Sequence, residues 1–202
     1  MIKNNQKINI NMHHNIESKN VLGFWIYLMS DCILFACLFA AYIVLIHNTY
    51  GGSSMKDIFE AHYVFIETMV LLTSSLTYGL LMLSMYKNNK NHMFFFLILS
   101  MFLGLVFVIM EVNEFHHLVS HGQTWQSSGF LSGFFTLVGV HGLHVSIGII
   151  WMFIMLIRIL KSGKITESDS RKLTYLGLFW GFLDIVWIFI FTLVYLTGSI
   201  IS

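Results

Sequence analysis

The residues of this chain that could do chemistry are acids and histidines embedded in long apolar stretches. Asp31 lies in GFWIYLMSDCILF, residues 23–35, and apolar residues continue on both sides of it. A charged side chain near the centre of a bilayer costs several kcal/mol or more, so an acid in such a place is a candidate functional residue. The other acids in similar surroundings are Glu67, Glu111, Glu114 and Asp184.

His141 and His144 lie three residues apart, which places them on one face of a helix. Imidazole suits Zn, Cu and Fe, so this pair could belong to a metal or haem site. The remaining histidines lie near the N-terminus or at the ends of apolar stretches, and no second histidine-rich helix completes a set of ligands. We therefore predict no metal-binding residue in this chain, with a haem- or metal-binding bundle as an alternative.

The elements that position these residues are apolar stretches long enough to cross a bilayer as helices. The chain is 56% hydrophobic and only 10% charged, whereas soluble domains carry about 25% charged residues. A membrane-spanning helix needs about 20 mostly apolar residues. The stretches that meet this requirement lie at about 22–46, 63–86, 93–118, 130–157 and 173–199. The sequence thus predicts an all-α integral membrane bundle of five helices, with residues 22–202 as one transmembrane domain.

The distribution of basic residues predicts the orientation of the bundle. Residues 1–21 form a polar tail before the first span. If the N-terminus is inside, every Lys and Arg except Lys56 falls in this tail or in an inner connection. Because cytoplasmic loops are enriched in Lys and Arg, we predict a cytoplasmic tail and an outer C-terminus. A net charge of +1 gives no indication of a nucleic-acid partner.

Small residues spaced four apart occur in every predicted span. They are Ala36 and Ala40, Ser75 and Gly79, Ser100 and Gly104, Gly142 and Ser146, and Gly177 and Gly181. Such pairs let helices approach closely where lipid supplies no hydrophobic driving force. The chain also has no proline, which counts against the broken helices that many transporters use. Both features favour a compact helical bundle.

The acids within the spans have two interpretations. Asp31 and Asp184 could be neutral, hydrogen-bonded packing residues, because a neutral carboxyl is cheaper to bury than a charged one. They could instead handle protons, or contact lipid or a partner. Glu114, together with His116 and His117, could simply lie at the membrane interface. The residues alone leave these interpretations open.

Several segments resemble subunit III of haem-copper oxidases. Besides the segment around Asp31, they are SSLTYGLLMLSMYKNN at 74–89, EVNEFHHL at 111–118, HGLHV at 141–145 and the FW-x-F-x-D-x-VW pattern at 179–187. The resemblance covers essentially the whole chain beyond the polar tail. It is greatest to the five-span form found in cytochrome o-type quinol oxidases, which agrees with the number of spans predicted from hydropathy.

The resemblance implies an accessory subunit of a proton-pumping terminal oxidase in the bacterial inner membrane. In this family, subunit I holds the haems and copper, oxidises quinol and reduces oxygen to water, and subunit III packs on it and holds lipid. We therefore expect a non-catalytic chain without its own cofactor, whose partners are subunits I and II, a small subunit IV and phospholipid. The alternatives are cytochrome c oxidase subunit III or a small membrane transporter.

The resemblance also points to individual residues. Asp31 matches a membrane-buried, carbodiimide-reactive glutamate of cytochrome c oxidase relatives, which implies a protonated carboxyl that faces subunit I or lipid and supports proton uptake or assembly. Gly181 stands where the family usually has a histidine, and we expect it to form a close-packing pair with Gly177. The other residues to which the family pattern gives importance are Glu67, Glu114, His141, His144, Trp180, Asp184 and Trp187.

Overall fold

Helices make up the computed structural model, which describes residues 2–46, 61–87, 89–162 and 166–196 and contains no strand in these ranges. In chain order, the helices are α1 (Ile2–Leu45), α2 (Ala61–Tyr86), α3 (Lys90–Ser120), α4 (Gly129–Ser162) and α5 (Glu167–Ile190), followed by a π-helical segment (Phe191–Leu196). Each of the five α-helices contains a stretch long and apolar enough to cross a membrane. The predicted all-α fold with five spans is confirmed.

The chain divides into two compact units, residues 1–37 and residues 38–202. The first unit consists of the greater part of α1. This helix starts well before its apolar stretch, which begins at Lys19. The polar N-terminal residues and the first span therefore belong to one uninterrupted helix.

Asp31 lies on the buried face of α1 within the first unit. Leu28, Asp31 and Phe35 are buried, and their spacing of three and four residues places them on one side of the helix. The Tyr27 hydroxyl, one turn earlier, is within hydrogen-bonding reach of the Asp31 carboxyl. The helix thus provides this acid with a partner from its own preceding turn.

Two serines join α2 to α3 in the second unit. The Ser74 hydroxyl donates to the carbonyl oxygen of Ser100, and the Ser100 hydroxyl donates to that of Ser74, each at 3.0 Å. Both residues are fully buried. Interhelical hydrogen bonds in membranes contribute about 0.6 kcal/mol on average. This reciprocal pair fixes the register of the two helices as well as adding stability.

Trp180 of α5 occupies a space that two glycines leave between α3 and α4. A Cβ atom on Gly104 would lie 2.9 Å from Cη2 of Trp180, and one on Gly148 would lie 2.8 Å from its Cζ3. These distances are shorter than real Cβ contacts allow, so each glycine is needed where it stands. Three helices therefore meet at a single indole ring, which is 1% exposed.

Gly177 brings α5 against α2. A Cβ atom there would lie 2.7 Å from Cε1 of Tyr78, and the Tyr78 hydroxyl donates to the carbonyl oxygen of Leu173 at 2.8 Å. Gly181, one turn further along α5, would meet nothing within 4 Å of an added Cβ. The expectation that Gly181 forms a close-packing pair with Gly177 is therefore wrong, because only Gly177 lies against a neighbouring helix.

An ion pair and a helix cap connect α4 to the start of α5. Arg158 Nε lies 2.6 Å from Oδ1 of the buried Asp169. The other carboxylate oxygen of Asp169 accepts from the Thr166 backbone N–H, and the Thr166 hydroxyl oxygen accepts from the Asp169 N–H, both at 3.3 Å. This reciprocal capping box satisfies backbone donors at the first turn of α5. One acid thus both starts α5 and holds it to α4.

We expect Gly148→Ala to lower the free energy of unfolding by about 1–3 kcal/mol, because the added methyl group would overlap Trp180. Gly181→Ala is the matched control, since the same change there meets only open space. The measurement is SDS-induced unfolding of the purified chain in detergent micelles, followed by circular dichroism. Equal stability of the two variants would contradict the packing described for Trp180.

Candidate functional site

Polar and aromatic side chains from four helices come together in the second unit. They come from the first turns of α2, the last turns of α3, the middle of α4, the end of α5 and the π-helical segment that follows it. Because successive spans cross the membrane in opposite directions, these parts of the helices lie at similar depth. We call the following residues the polar cluster: Glu67, Glu111, Glu114, His141, Trp187 and Tyr195.

Three carboxyl groups form one side of the polar cluster. Glu67 is fully buried and Glu111 is 3% exposed. The Glu67 carboxyl group lies close enough to those of Glu111 and Glu114 to interact with both electrostatically. Among the described residues, neither oxygen of Glu67 has a hydrogen-bond partner, and neither does Oε1 of Glu111. Since buried polar groups are normally hydrogen-bonded, these acids are the most unusual feature of the interior.

Glu114 has a partner from the π-helical segment. The Tyr195 hydroxyl lies 3.1 Å from one carboxylate oxygen of Glu114 and 3.3 Å from the other. Segments of π-helix occur frequently at functional sites, and here the segment brings a phenol to the acids of α3. Carboxyl and phenol groups can hold or exchange protons. Proton binding is therefore the chemistry that this side of the cluster offers.

Glu111 lies directly against the backbone of α4. A Cβ atom at Gly142 would overlap both oxygens of the Glu111 carboxyl group. Gly142 was predicted as a helix-packing residue together with Ser146, whose hydroxyl donates to the Gly142 carbonyl oxygen at 2.8 Å within α4. The glycine does permit a close approach, and the group that fills the space is an acid.

His141 is enclosed by aromatic rings. It is fully buried, stacks on Trp187 with ring centroids 5.2 Å apart, and meets the edge of Phe107 at 6.1 Å. Trp187 in turn donates its indole N–H to the Thr68 hydroxyl at 3.1 Å, and that hydroxyl donates to the Val64 carbonyl oxygen at 2.9 Å. A chain of contacts thus connects α4, α5 and α2 through the imidazole and the indole.

His144 and Asp184 lie in other surroundings. Nδ1 of His144 is 2.7 Å from the Val140 carbonyl oxygen of its own helix, and Asp184, which is 7% exposed, bonds to Ser75 of α2. In the described part of the chain, no group of three or more His, Cys, Asp and Glu side chains is arranged to hold a metal ion. His141 and His144 are neighbours on α4, but the aromatic rings of Phe107 and Trp187 enclose His141, whereas Nδ1 of His144 bonds within its own helix.

The structure brings together only part of the set of site residues chosen from the sequence. Those in the polar cluster are Glu67, Glu114, His141 and Trp187. Those outside it are Asp31, which belongs to the other unit, and His144, Trp180 and Asp184. Glu111 is one of the acids that the sequence places in apolar stretches, but the family pattern did not add it to the site residues, although it lies one turn before Glu114. Nothing in the sequence distinguished Thr68, Phe107 and Tyr195 as site residues, because each is an ordinary residue type in an apolar helix.

Comparison with known proteins finds relatives over nearly the whole chain. A family model described as cytochrome c oxidase subunit III matches residues 5–199. The Pseudomonas aeruginosa protein named cytochrome bo(3) ubiquinol oxidase subunit 3 is 52% identical over 93% of this chain and 89% of its own length. A Staphylococcus epidermidis protein named probable quinol oxidase subunit 3 is 44% identical over 91% of both chains. An Alkalihalophilus pseudofirmus protein named cytochrome c oxidase subunit 3 is 45% identical over 91% of this chain and 89% of its own.

The hydrogen bond between Trp187 and Thr68 can be tested with a double-mutant cycle. We expect Trp187→Phe and Thr68→Val to be coupled by about 0.5–1.5 kcal/mol in the free energy of unfolding, because the indole N–H donates to the threonine hydroxyl. Thr73→Val is the control partner, since the exposed Thr73 hydroxyl donates to the Met69 carbonyl oxygen of its own helix. A coupling energy with Thr68 no larger than that with Thr73 would show that the bond contributes nothing.

Proposed function

The chain belongs to the cytochrome c oxidase subunit III family, and from this premise we propose that it is subunit III of a haem-copper quinol oxidase. The observation that carries the proposal is the match to relatives named as quinol oxidase subunit 3, at 52% and 44% identity over about nine-tenths of each chain. Similarity over this length includes all five membrane-spanning helices. The resemblance found in the sequence motifs is thereby confirmed.

In this proposal, the complete assembly oxidises ubiquinol, reduces oxygen to water and pumps protons. Haem and copper belong to subunit I, and this chain supplies packing surfaces and lipid contacts without taking part in electron transfer. The arrangement of the polar cluster supports such a role. Glu114 bonds to Tyr195, and His141 stacks on Trp187, so these groups interact within the chain itself.

The chain is a multi-pass membrane protein, and as a subunit III it assembles with other oxidase subunits. The partners we propose are subunits I and II, a small subunit IV and phospholipid. The proposed location is the bacterial inner membrane, which the bacterial origin of the relatives supports. The proposed orientation, with the N-terminus inside, follows from the basic residues of the tail and inner connections.

Asp31 and the cluster acids have separate parts in the proposal. Asp31, which shares the buried face of α1 with Leu28 and Phe35, supports proton uptake or assembly of the oxidase. Glu67 and Glu114 hold protons inside the second unit and maintain the contacts among α2, α3 and the π-helical segment. None of these acids is a redox ligand.

A cytochrome c oxidase is the second candidate assembly. The relative from Alkalihalophilus pseudofirmus carries that name, and its 45% identity equals that of the Buchnera aphidicola protein named cytochrome bo(3) ubiquinol oxidase subunit 3. A sequence identity of 45% therefore does not show whether quinol or cytochrome c donates electrons to the assembly. The donor is a property of the partner subunits, so it has to be measured on the assembly.

We expect a tagged form of this chain, purified gently from native membranes, to bring with it a larger subunit that contains haem and copper. The measurement is the reduced-minus-oxidised spectrum together with identification of the co-purifying proteins. Stripping the tagged chain from its partners should remove the haem signal from it, because the proposal places the haems in subunit I. Purification of the chain alone, under conditions in which other respiratory assemblies stay intact, would contradict the proposal.

The same preparation distinguishes the two candidate donors. We expect rapid oxygen consumption with a reduced short-chain ubiquinol and none above background with reduced cytochrome c. The opposite result would assign the chain to a cytochrome c oxidase and leave its place as a subunit III intact.

We expect Asp31→Asn to reduce the yield of assembled oxidase or its stability during turnover by about several-fold, because asparagine keeps the size of the side chain but cannot release a proton. Ser30→Ala is the control, since the Ser30 hydroxyl is exposed and donates to the Tyr27 carbonyl oxygen of the same helix. Assembly, bound lipid and activity during sustained turnover are measured for both variants. If Asp31→Asn leaves all three unchanged, Asp31 is only a packing residue.

A further inference from the structure

Two histidines lie next to each other at the C-terminal end of α3, outside the polar cluster. His117 is in the last turn of the helix and His121 is its C-cap residue. A spacing of four residues places both side chains on the same side of the helix. Their imidazole rings are 4.3 Å apart between centroids, and both residues are exposed. Neither residue is among the buried residues of α3.

The hydrogen bonds at this helix end favour one tautomer of His121. Its Nδ1 atom lies 2.9 Å from the carbonyl oxygen of His117 and 3.3 Å from the Ser120 hydroxyl oxygen. The Ser120 hydroxyl donates to the His117 carbonyl oxygen at 2.7 Å. A carbonyl oxygen can only accept, so these contacts favour the form in which Nδ1 carries the proton and donates it. In the neutral ring, Nε2 then has a free lone pair. Metal-binding histidines usually have this arrangement, in which the other ring N–H donates to a carbonyl or carboxylate group.

The geometry suits a transition-metal ion held by two imidazoles. Zinc–nitrogen bonds are about 2.0–2.1 Å long, so two nitrogen ligands of a tetrahedral ion lie about 3.3 Å apart. Rings that share such an ion have their centroids about 5 Å apart. The imidazoles of His117 and His121, whose centroids are 4.3 Å apart, are exposed and would have to rotate apart by about 1 Å to bind it. The C-terminus of a helix also carries partial negative charge, which favours a cation there.

We propose that His117 and His121 form a binding site for a divalent transition-metal ion, of which Zn²⁺ is the example to test, with water completing the coordination. Imidazole nitrogen is a preferred ligand for this class of ion. The site departs from the prediction that the chain binds no metal, which rested on His141 and His144. It is independent of the oxidase assignment, because it uses only residues of this chain at the end of α3.

His116 provides a matched control. It is exposed like its neighbour, but one residue along an α-helix corresponds to a rotation of about 100°. His116 therefore faces away from the pair formed by His117 and His121. A site made by surface histidines in general would depend on all three residues, whereas the proposed site depends on two.

The test is the binding of Zn²⁺ by the tagged full chain, purified with the proteins that accompany it and treated with a chelator beforehand. Equilibrium dialysis with radioactive zinc compares the unaltered protein with His121→Asn, His117→Asn and His116→Asn. Zinc bound at other sites is the same in all four proteins, so only a difference between them reports on the proposed site. We expect His121→Asn and His117→Asn each to weaken one class of zinc site by roughly 10–100-fold, as removal of a supporting residue already does in metal sites. The His116→Asn variant should keep that site. Equal binding by all four proteins, or an equal loss in His116→Asn, would overturn the proposal.

A second measurement needs no variant. Diethylpyrocarbonate modifies accessible imidazoles, and the modified positions are found by peptide mass spectrometry. We expect micromolar Zn²⁺ to protect His117 and His121 from modification while His116 remains reactive. Failure of zinc to protect the pair, or uniform protection of all three histidines, would also overturn the proposal.

Discussion

The second unit depends on the packing of two α5 tryptophans against small and polar groups of neighbouring helices. In a membrane, burial of apolar surface does little to drive helices together, because lipid is as apolar as the side chains. Association must come from close fit and from polar contacts. Trp180 supplies the fit, since its indole ring enters the space at Gly104 and Gly148. Trp187 supplies the polar contact through its bond to Thr68.

The polar cluster is a consequence of the same constraint. Acids at membrane depth are costly unless they are enclosed or paired, and here the helices approach closely enough to enclose them. Gly142 lets α4 lie directly on the Glu111 carboxyl group, and the aromatic rings of Phe107 and Trp187 cover His141. The interior of the unit therefore combines tight packing with groups that can hold protons. This combination suits the accessory role proposed for the chain.

The outward faces of the helices have a different character. On α4, Ile150, Phe153 and Ile157 are exposed at a spacing of three and four residues, which forms an apolar stripe. Such a stripe is ordinary for a helix that faces lipid or another membrane subunit. The exposed imidazoles of His117 and His121 at the end of α3 differ from it, because they lie where the helix leaves its apolar stretch.

The sequence by itself determined the number of spans, the helical class and the family, because hydropathy and short motifs are properties of residues close together in the chain. It also identified Gly104 and Gly142 as positions of close approach. Only the tertiary structure decided what fills those spaces, namely an indole ring at one and a carboxyl group at the other. The contact between Thr68 and Trp187 joins residues 119 positions apart. Such contacts depend on which helices are neighbours and how each is rotated, and a residue's own segment contains no information about either.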